Sequence, residues 1–162
     1  MVLIVLFLAS GLLAQSETGD KTSVTVSISA TVVDQIQLIT ITDIDVGTVI
    51  PSDDILRLDP HSDQGAGIIQ ILGRKNSSVQ ISFSDQVEMY NAIGNSNLLV
   101  NYSIAGFEES DQAASEVFTI NPVTVSLNSD GEYYLWIGCS FSTNNLVPGQ
   151  YDGDFILEVD YN

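Results

Sequence analysis

The sequence predicts an all-β fold, an immunoglobulin-like antiparallel β-sandwich, on three observations. Apolar and polar residues alternate with a period of two in one stretch after another. No helical period of 3.6 residues is sustained after the apolar N-terminus. Turn signals separate the alternating stretches at short, regular intervals, which implies about nine to eleven short strands. A closed barrel is the alternative arrangement of the same pattern.

In chain order, Met1 to Leu13 are almost wholly apolar and stop at Gln15-Ser16-Glu17. That run falls short of the ~20 residues a membrane span needs, so it reads as a secretory signal, residues 1–14, cleaved after Ala14. The mature protein is then expected to be exported, with no membrane insertion after cleavage. Residues 15–33 form a polar leader followed by a first strand. In that strand Val24, Val26, Ile28, Ala30 and Val32 share one face, and Thr25, Ser27, Ser29 and Thr31 the other. Residues 34–162 are expected to be one sandwich domain. Its first strand is Gln35 to Thr42, where the apolar phase shifts between Leu38 and Ile39 and suggests a bulge.

Further strands are expected at Asp43 to Ile50, Ile55 to Leu58, Gly67 to Leu72 and Ser78 to Ser84. The last two read as a pair around Gly73-Arg74-Lys75-Asn76. Val87 to Tyr90, Leu98 to Ile104, Val117 to Ile120, Val123 to Leu127 and Tyr133 to Phe141 follow. Asn128-Ser129-Asp130-Gly131 reads as a hairpin turn. Glu108 to Ser115 is polar and is the one place where a short helical turn is expected.

The clearest strand is the last. Pro148-Gly149 is a turn signal, and strict alternation follows it. Tyr151, Phe155, Leu157, Val159 and Tyr161 fall on a core face. Asp152, Asp154, Glu158 and Asp160 fall on a wet face. The alternation reaches Asn162, so no C-terminal tail is expected.

Four Lys and Arg stand against 21 Asp and Glu, for a net charge of −17. Such a charge opposes nucleic acids and anionic membranes, because each contact would add like-charge repulsion. One cysteine, Cys139, excludes an intramolecular disulfide and reads as a buried small hydrophobe. His61 is the only histidine, and no nucleophile motif, zinc spacing or phosphate loop accompanies it. A non-enzymatic protein without a cofactor is expected. Calcium could reach two acidic groups, Asp53, Asp54, Asp59 and Asp63 across the Pro51 to Gly65 loop region and Asp43 with Asp45 on one face of an expected strand, although ordinary turn chemistry and surface acid explain both.

The last stretch carries a resemblance. Gly149, Tyr151, Gly153, Phe155, Leu157, Val159, Tyr161 and Asn162 resemble the closing pattern of the DUF4402 domain family. Tyr161, second from the end, and Gly149, fourteenth from the end, are also similar to the last strand of pilins and spore-coat-U-like proteins. Asp45-Val46-Gly47-Thr48-Val49-Ile50-Pro51 and Leu135-Trp136-Ile137-Gly138 resemble earlier segments of DUF4402. Many chaperone–usher pilins carry a disulfide that this chain lacks. The resemblance implies an extracellular or cell-surface structural protein, a pilin-like or coat subunit whose partners are copies of itself. It also implies strand complementation, in which Val24, Val26, Ile28, Ala30 and Val32 of one copy complete the sandwich of the next. The same strand could instead pair within its own domain. The alternative function is a monomeric carbohydrate- or surface-binding module that would use Tyr90, Tyr133, Tyr134 or Trp136 as stacking platforms if these are exposed, whereas a core position is the favoured expectation for such aromatics.

Overall fold

Residues 35–47 and 55–162 are described by the computed structural model, and all of them belong to a unit spanning Val33–Asn162. The fold is an antiparallel β-sandwich. The larger sheet contains β1 (Gln37–Thr42), β3 (Gly67–Leu72), β9 (Glu132–Ser142), β6 (Ser96–Phe107) and β5 (Gln86–Asn91), in that order. Two short strands extend it, β2 (Ile55–Leu58) on β9 and β7 (Glu116–Val117) on β6. The smaller sheet has three strands in the order β10 (Leu157–Tyr161), β4 (Ser78–Phe83) and β8 (Val123–Ser126). The helical turn expected in the polar loop is a single 3-10 turn at Gln112–Ala114, capped by the Asp111 carboxylate.

The main core lies where the two sheets face each other. Ile71, Ile104, Leu135 and Ile137 of the larger sheet meet Val79, Ile81 and Leu127 from the smaller sheet and its exit turn. These side chains come from alternate positions, as a half-buried sheet requires. β9 is buried on both faces. Leu135 and Ile137 point to the core, while Trp136 on the opposite face is 2% exposed. The loop after β2 crosses that outer face: a Cβ on Gly138 would lie 2.6 Å from the Pro60 ring. Gln112 pins the loop by donating to the carbonyls of Pro60 and Asp63 at 2.8 and 2.9 Å.

Several strands match their sequence expectation closely, and six expectations need correction. The bulge in β1 falls between Thr40 and Thr42, two residues beyond the phase shift in the sequence. Asp43 to Gly47, the described part of the next expected strand, is not a strand. Its Asp45 side chain instead accepts from the Gly47 N–H at 2.8 Å in a local turn. Strand β7 covers only Glu116–Val117 of the expected Val117 to Ile120 region, after which the Phe118 N–H reaches the Ile104 carbonyl. Finally, two expected hairpins are not hairpins. β3 pairs with β1 and β9, whereas β4 pairs with β10 and β8. The turn at Asn128–Gly131 likewise carries the chain from β8 in one sheet to β9 in the other. Both turns are tight, but each crosses the core instead of folding a strand onto its neighbour.

The last strand is shorter than its alternation. Asp152 and Tyr90 exchange backbone hydrogen bonds of 3.1 and 2.8 Å, which ties this part of the chain to the larger sheet. Only from Leu157 does the chain join β4 in the smaller one. The inward phase persists across the crossing. Tyr151, Phe155, Leu157, Val159 and Tyr161 are all half-buried, and Asp152, Asp154, Glu158 and Asp160 are exposed.

Two isoleucines test this account of the core. Ile81 is fully buried and Ile93, at the β5–β6 tip, is 94% exposed. Ile81→Ala is expected to lower unfolding free energy by about 2–5 kcal/mol and Ile93→Ala by less than about 0.5 kcal/mol, both read from urea denaturation.

Candidate functional site

The central ribbon of the larger sheet is longer than the sheet that faces it. β6 and β9 contain 12 and 11 residues. At about 3.3 Å per residue they run roughly 36–40 Å, whereas the four to six residues of β8, β10 and β4 cover only about 13–20 Å. The alternating apolar face continues past the end of the smaller sheet. There Val100, Cys139 and Phe141 form a second cluster, with Met89, Leu98 and Tyr102 packed against it. The Tyr102 and Phe155 rings, 4.6 Å apart and inclined at 43°, stand where the two clusters meet.

Above the second cluster lies an apolar trough of about 540 Å³. Ile44 and Val46 line it, and so do the loop residues Leu146 to Gly149 with Tyr151. That loop is held by polar groups behind it. The Tyr151 hydroxyl donates to the Val147 carbonyl at 2.9 Å and accepts from the Val147 N–H at 3.2 Å. Asn91 is fully buried. Its carboxamide oxygen accepts from Ile93 and Gly94 N–H at 3.1 and 2.9 Å, and its nitrogen donates to the Pro148 carbonyl at 3.4 Å. Gly149 passes so close to this carboxamide that a Cβ there would strike it, and its φ of +146° is one that L side chains rarely adopt.

The trough offers apolar surface and little chemistry. Burial pushes the Cys139 thiol up, which keeps it protonated and unreactive. Burial and then the nearby Cys139 raise the Tyr102 hydroxyl. β10 borders the core as the end strand of its sheet. Asn162 N–H bonds to Ser78 O and Ser84 N–H to Ile156 O. By the alternation of an antiparallel ladder, the N–H and C=O groups of Leu157, Val159 and Tyr161 therefore point away from β4, toward an edge that no strand among the described residues pairs with.

The other residues singled out by sequence are dispersed. Val24, Val26, Ile28, Ala30 and Val32 lie outside the described residues, as do Asp53 and Asp54. Asp59 accepts from the His61 N–H, and Asp63 from the Asp59 N–H, at 2.9 and 2.6 Å, which is turn chemistry. Among the described residues no three His, Cys, Asp or Glu are grouped to hold a metal. The His61 ring lies 2.9 Å from the Ser115 carbonyl through Nδ1, a structural tie between two loops. Of the four aromatic platforms, Tyr133 and Trp136 are buried, Tyr134 is half-buried against Trp136, and only Tyr90 is well exposed, at 47%. The trough itself was not singled out from sequence. Its signal was the length of the alternating runs in β6 and β9 against the short runs facing them. No described helix is long and apolar enough to cross a membrane.

No protein-family model matches the chain, and no curated protein matches it. Among solved structures, a chain from work described as "Chaperone-tip adhesin complex is vital for synergistic activation of CFA/I fimbriae biogenesis" is similar over 80% of this chain, at 14% identity and a TM-score of 0.46. This chain spans 41% of that chain's length.

Two measurements check the packing around these residues. Asn91→Ala leaves two N–H groups and a carbonyl without their partner and is expected to cost about 1–3 kcal/mol, measured by urea denaturation. Tyr133 has its hydroxyl pushed from 10.0 up to about 12, by burial first and then by Glu116 and Glu108. The unfolded chain therefore releases this proton at lower pH than the folded one. The stabilisation is complete below about pH 10 and is lost as pH rises through about 12. Tyr133→Phe is expected to flatten the fall of the urea midpoint across that window.

Proposed function

We propose that this chain is an exported, non-enzymatic structural subunit of pilin-like or surface-coat kind, completed by a strand from another copy of itself. The reading includes the resemblance to the DUF4402 family and a location at the cell surface or outside the cell. The observation that carries it is the apolar trough beyond the short three-stranded sheet, together with the edge of β10 that no strand among the described residues pairs with. An extended strand laid along that edge would pair with the outward backbone groups of Leu157, Val159 and Tyr161. Its inward side chains, spaced by two residues, would cover half-buried apolar residues beside that edge.

Val24, Val26, Ile28, Ala30 and Val32 supply such a face within Thr22 to Val33, a segment free of Pro and Gly. Burying its four Val and Ile side chains would contribute roughly 6–12 kcal/mol gross, before the cost of ordering both partners. The stacking-platform alternative is weaker, because Trp136 and Tyr133 lie in the interior.

The intact chain is expected to form polymers in size-exclusion chromatography and negative-stain microscopy. Deletion of residues 15–33, or Ile28→Asp, should leave a folded monomer that binds a synthetic Thr22–Val33 peptide. If the deletion unfolds the domain and the intact chain never assembles, the strand belongs to its own sandwich and the reading fails.

A further inference from the structure

The opposite long edge of the sandwich has an opening of its own. β8 is the last strand of its sheet, and among the described residues no strand pairs with its far side. Leu127 N–H bonds to the Ser77 carbonyl at 2.9 Å. The ladder therefore turns the backbone groups of Val123 and Val125 toward β4, and those of Thr124 and Ser126 outward. Facing this edge across a cleft of about 580 Å³ are β7 and the segment after it. The apolar lining is provided by Phe118, Val123, Val125 and Tyr133, with Val117 and Ile120 left 46% and 65% exposed. Glu108 and Glu116 also line the cleft, and no Lys or Arg does.

A strand edge unpaired among the described residues, apolar side chains along one cleft and two carboxylates with no Lys or Arg in its lining are together the complement of one kind of partner. We propose that the β7–β8 cleft docks an extended, basic peptide strand of a partner protein, one that alternates apolar side chains and carries Lys or Arg beside them. The strand adds to β8 through the outward groups of Thr124 and Ser126. Its apolar side chains enter the cleft between Phe118 and Val125, and its cation meets Glu108 and Glu116. The same two carboxylates help to raise the Tyr133 hydroxyl, in keeping with a field concentrated at the cleft. The inference is independent of the assembly reading, which uses the other edge.

The test uses a fluorescent peptide, Lys-Thr-Val-Thr-Val-Thr-Val-Lys, and its counterpart with Glu in place of both Lys, titrated with the full chain by anisotropy. The lysine peptide is expected to bind at least about tenfold more tightly than the glutamate peptide, and progressively less tightly as salt is raised. Glu108→Gln with Glu116→Gln should weaken it at least about fivefold and flatten the salt dependence. Thr124→Pro removes an outward N–H while keeping the β4 ladder, and should weaken binding at least about tenfold with an unchanged urea midpoint. Should Thr124→Pro fail to fold, the double glutamine variant decides. The proposal is overturned if the two peptides bind alike, if neither binds at about 1 mM, or if folded variants bind as the parent does. Binding that survives all three substitutions would place the peptide elsewhere, as in the trough.

Discussion

Everything distinctive about this sandwich depends on one mismatch of length. Two strands of 11 and 12 residues run the full height of the larger sheet, and the smaller sheet supplies strands of only four to six. Apolar alternation along β6 and β9 does not stop where the cover stops, so among the described residues part of this apolar surface faces loops and not a strand. Val100, Cys139 and Phe141 are nevertheless nearly as buried as the residues of the main core. What distinguishes them is what lies opposite. Ile104 and Leu135 meet side chains from a paired strand, whereas the second cluster meets an irregular loop and a trough. Among the described residues the smaller sheet has one interior strand, β4, and edges at β10 and β8.

The loops that bridge the two sheets are held by asparagine side chains in place of strand pairing. Asn128 accepts from the N–H groups of Asp130 and Glu132 and donates to the Glu108 carbonyl. Asn121 pairs with both backbone groups of Phe83, accepting at 3.2 Å and donating at 2.7 Å. Asn91 plays the same part for the loop at the trough. A carboxamide is suited to this work because it presents one acceptor and two donors in the geometry of a peptide group. It can therefore satisfy backbone groups that a crossing turn takes out of any ladder. Among the described residues no buried side-chain polar atom lacks a partner.

Charge then limits what can approach these edges. With 21 acidic and four basic residues, close approach to another anionic surface is opposed almost everywhere. The trough is an exception because its lining is apolar and uncharged. The β7–β8 cleft differs in carrying carboxylates beside its apolar lining. On the two proposals above, the openings would select different partners, one by apolar fit alone and one by apolar fit plus opposite charge.

The sequence by itself determined the class of fold, most strand positions and which side chains face inward. Ile55–Leu58 and Gly67–Leu72 are strands at the expected bounds, and the Tyr151 to Tyr161 alternation keeps its inward phase even where the strand is interrupted. These features are local: a period of two and a turn residue act over a few positions. Only the tertiary structure decided which sheet each strand joins. Gly73 to Asn76 and Asn128 to Gly131 are turns in both accounts, but a turn records that the chain reverses and not whether it crosses the core. The loop that crosses the outer face of β9 at Gly138 was likewise invisible, because Pro60 is remote from it in sequence. The trough belongs to the same category. It arises from comparing the lengths of strands far apart in the chain, and that comparison has physical meaning only once pairing has set those strands face to face.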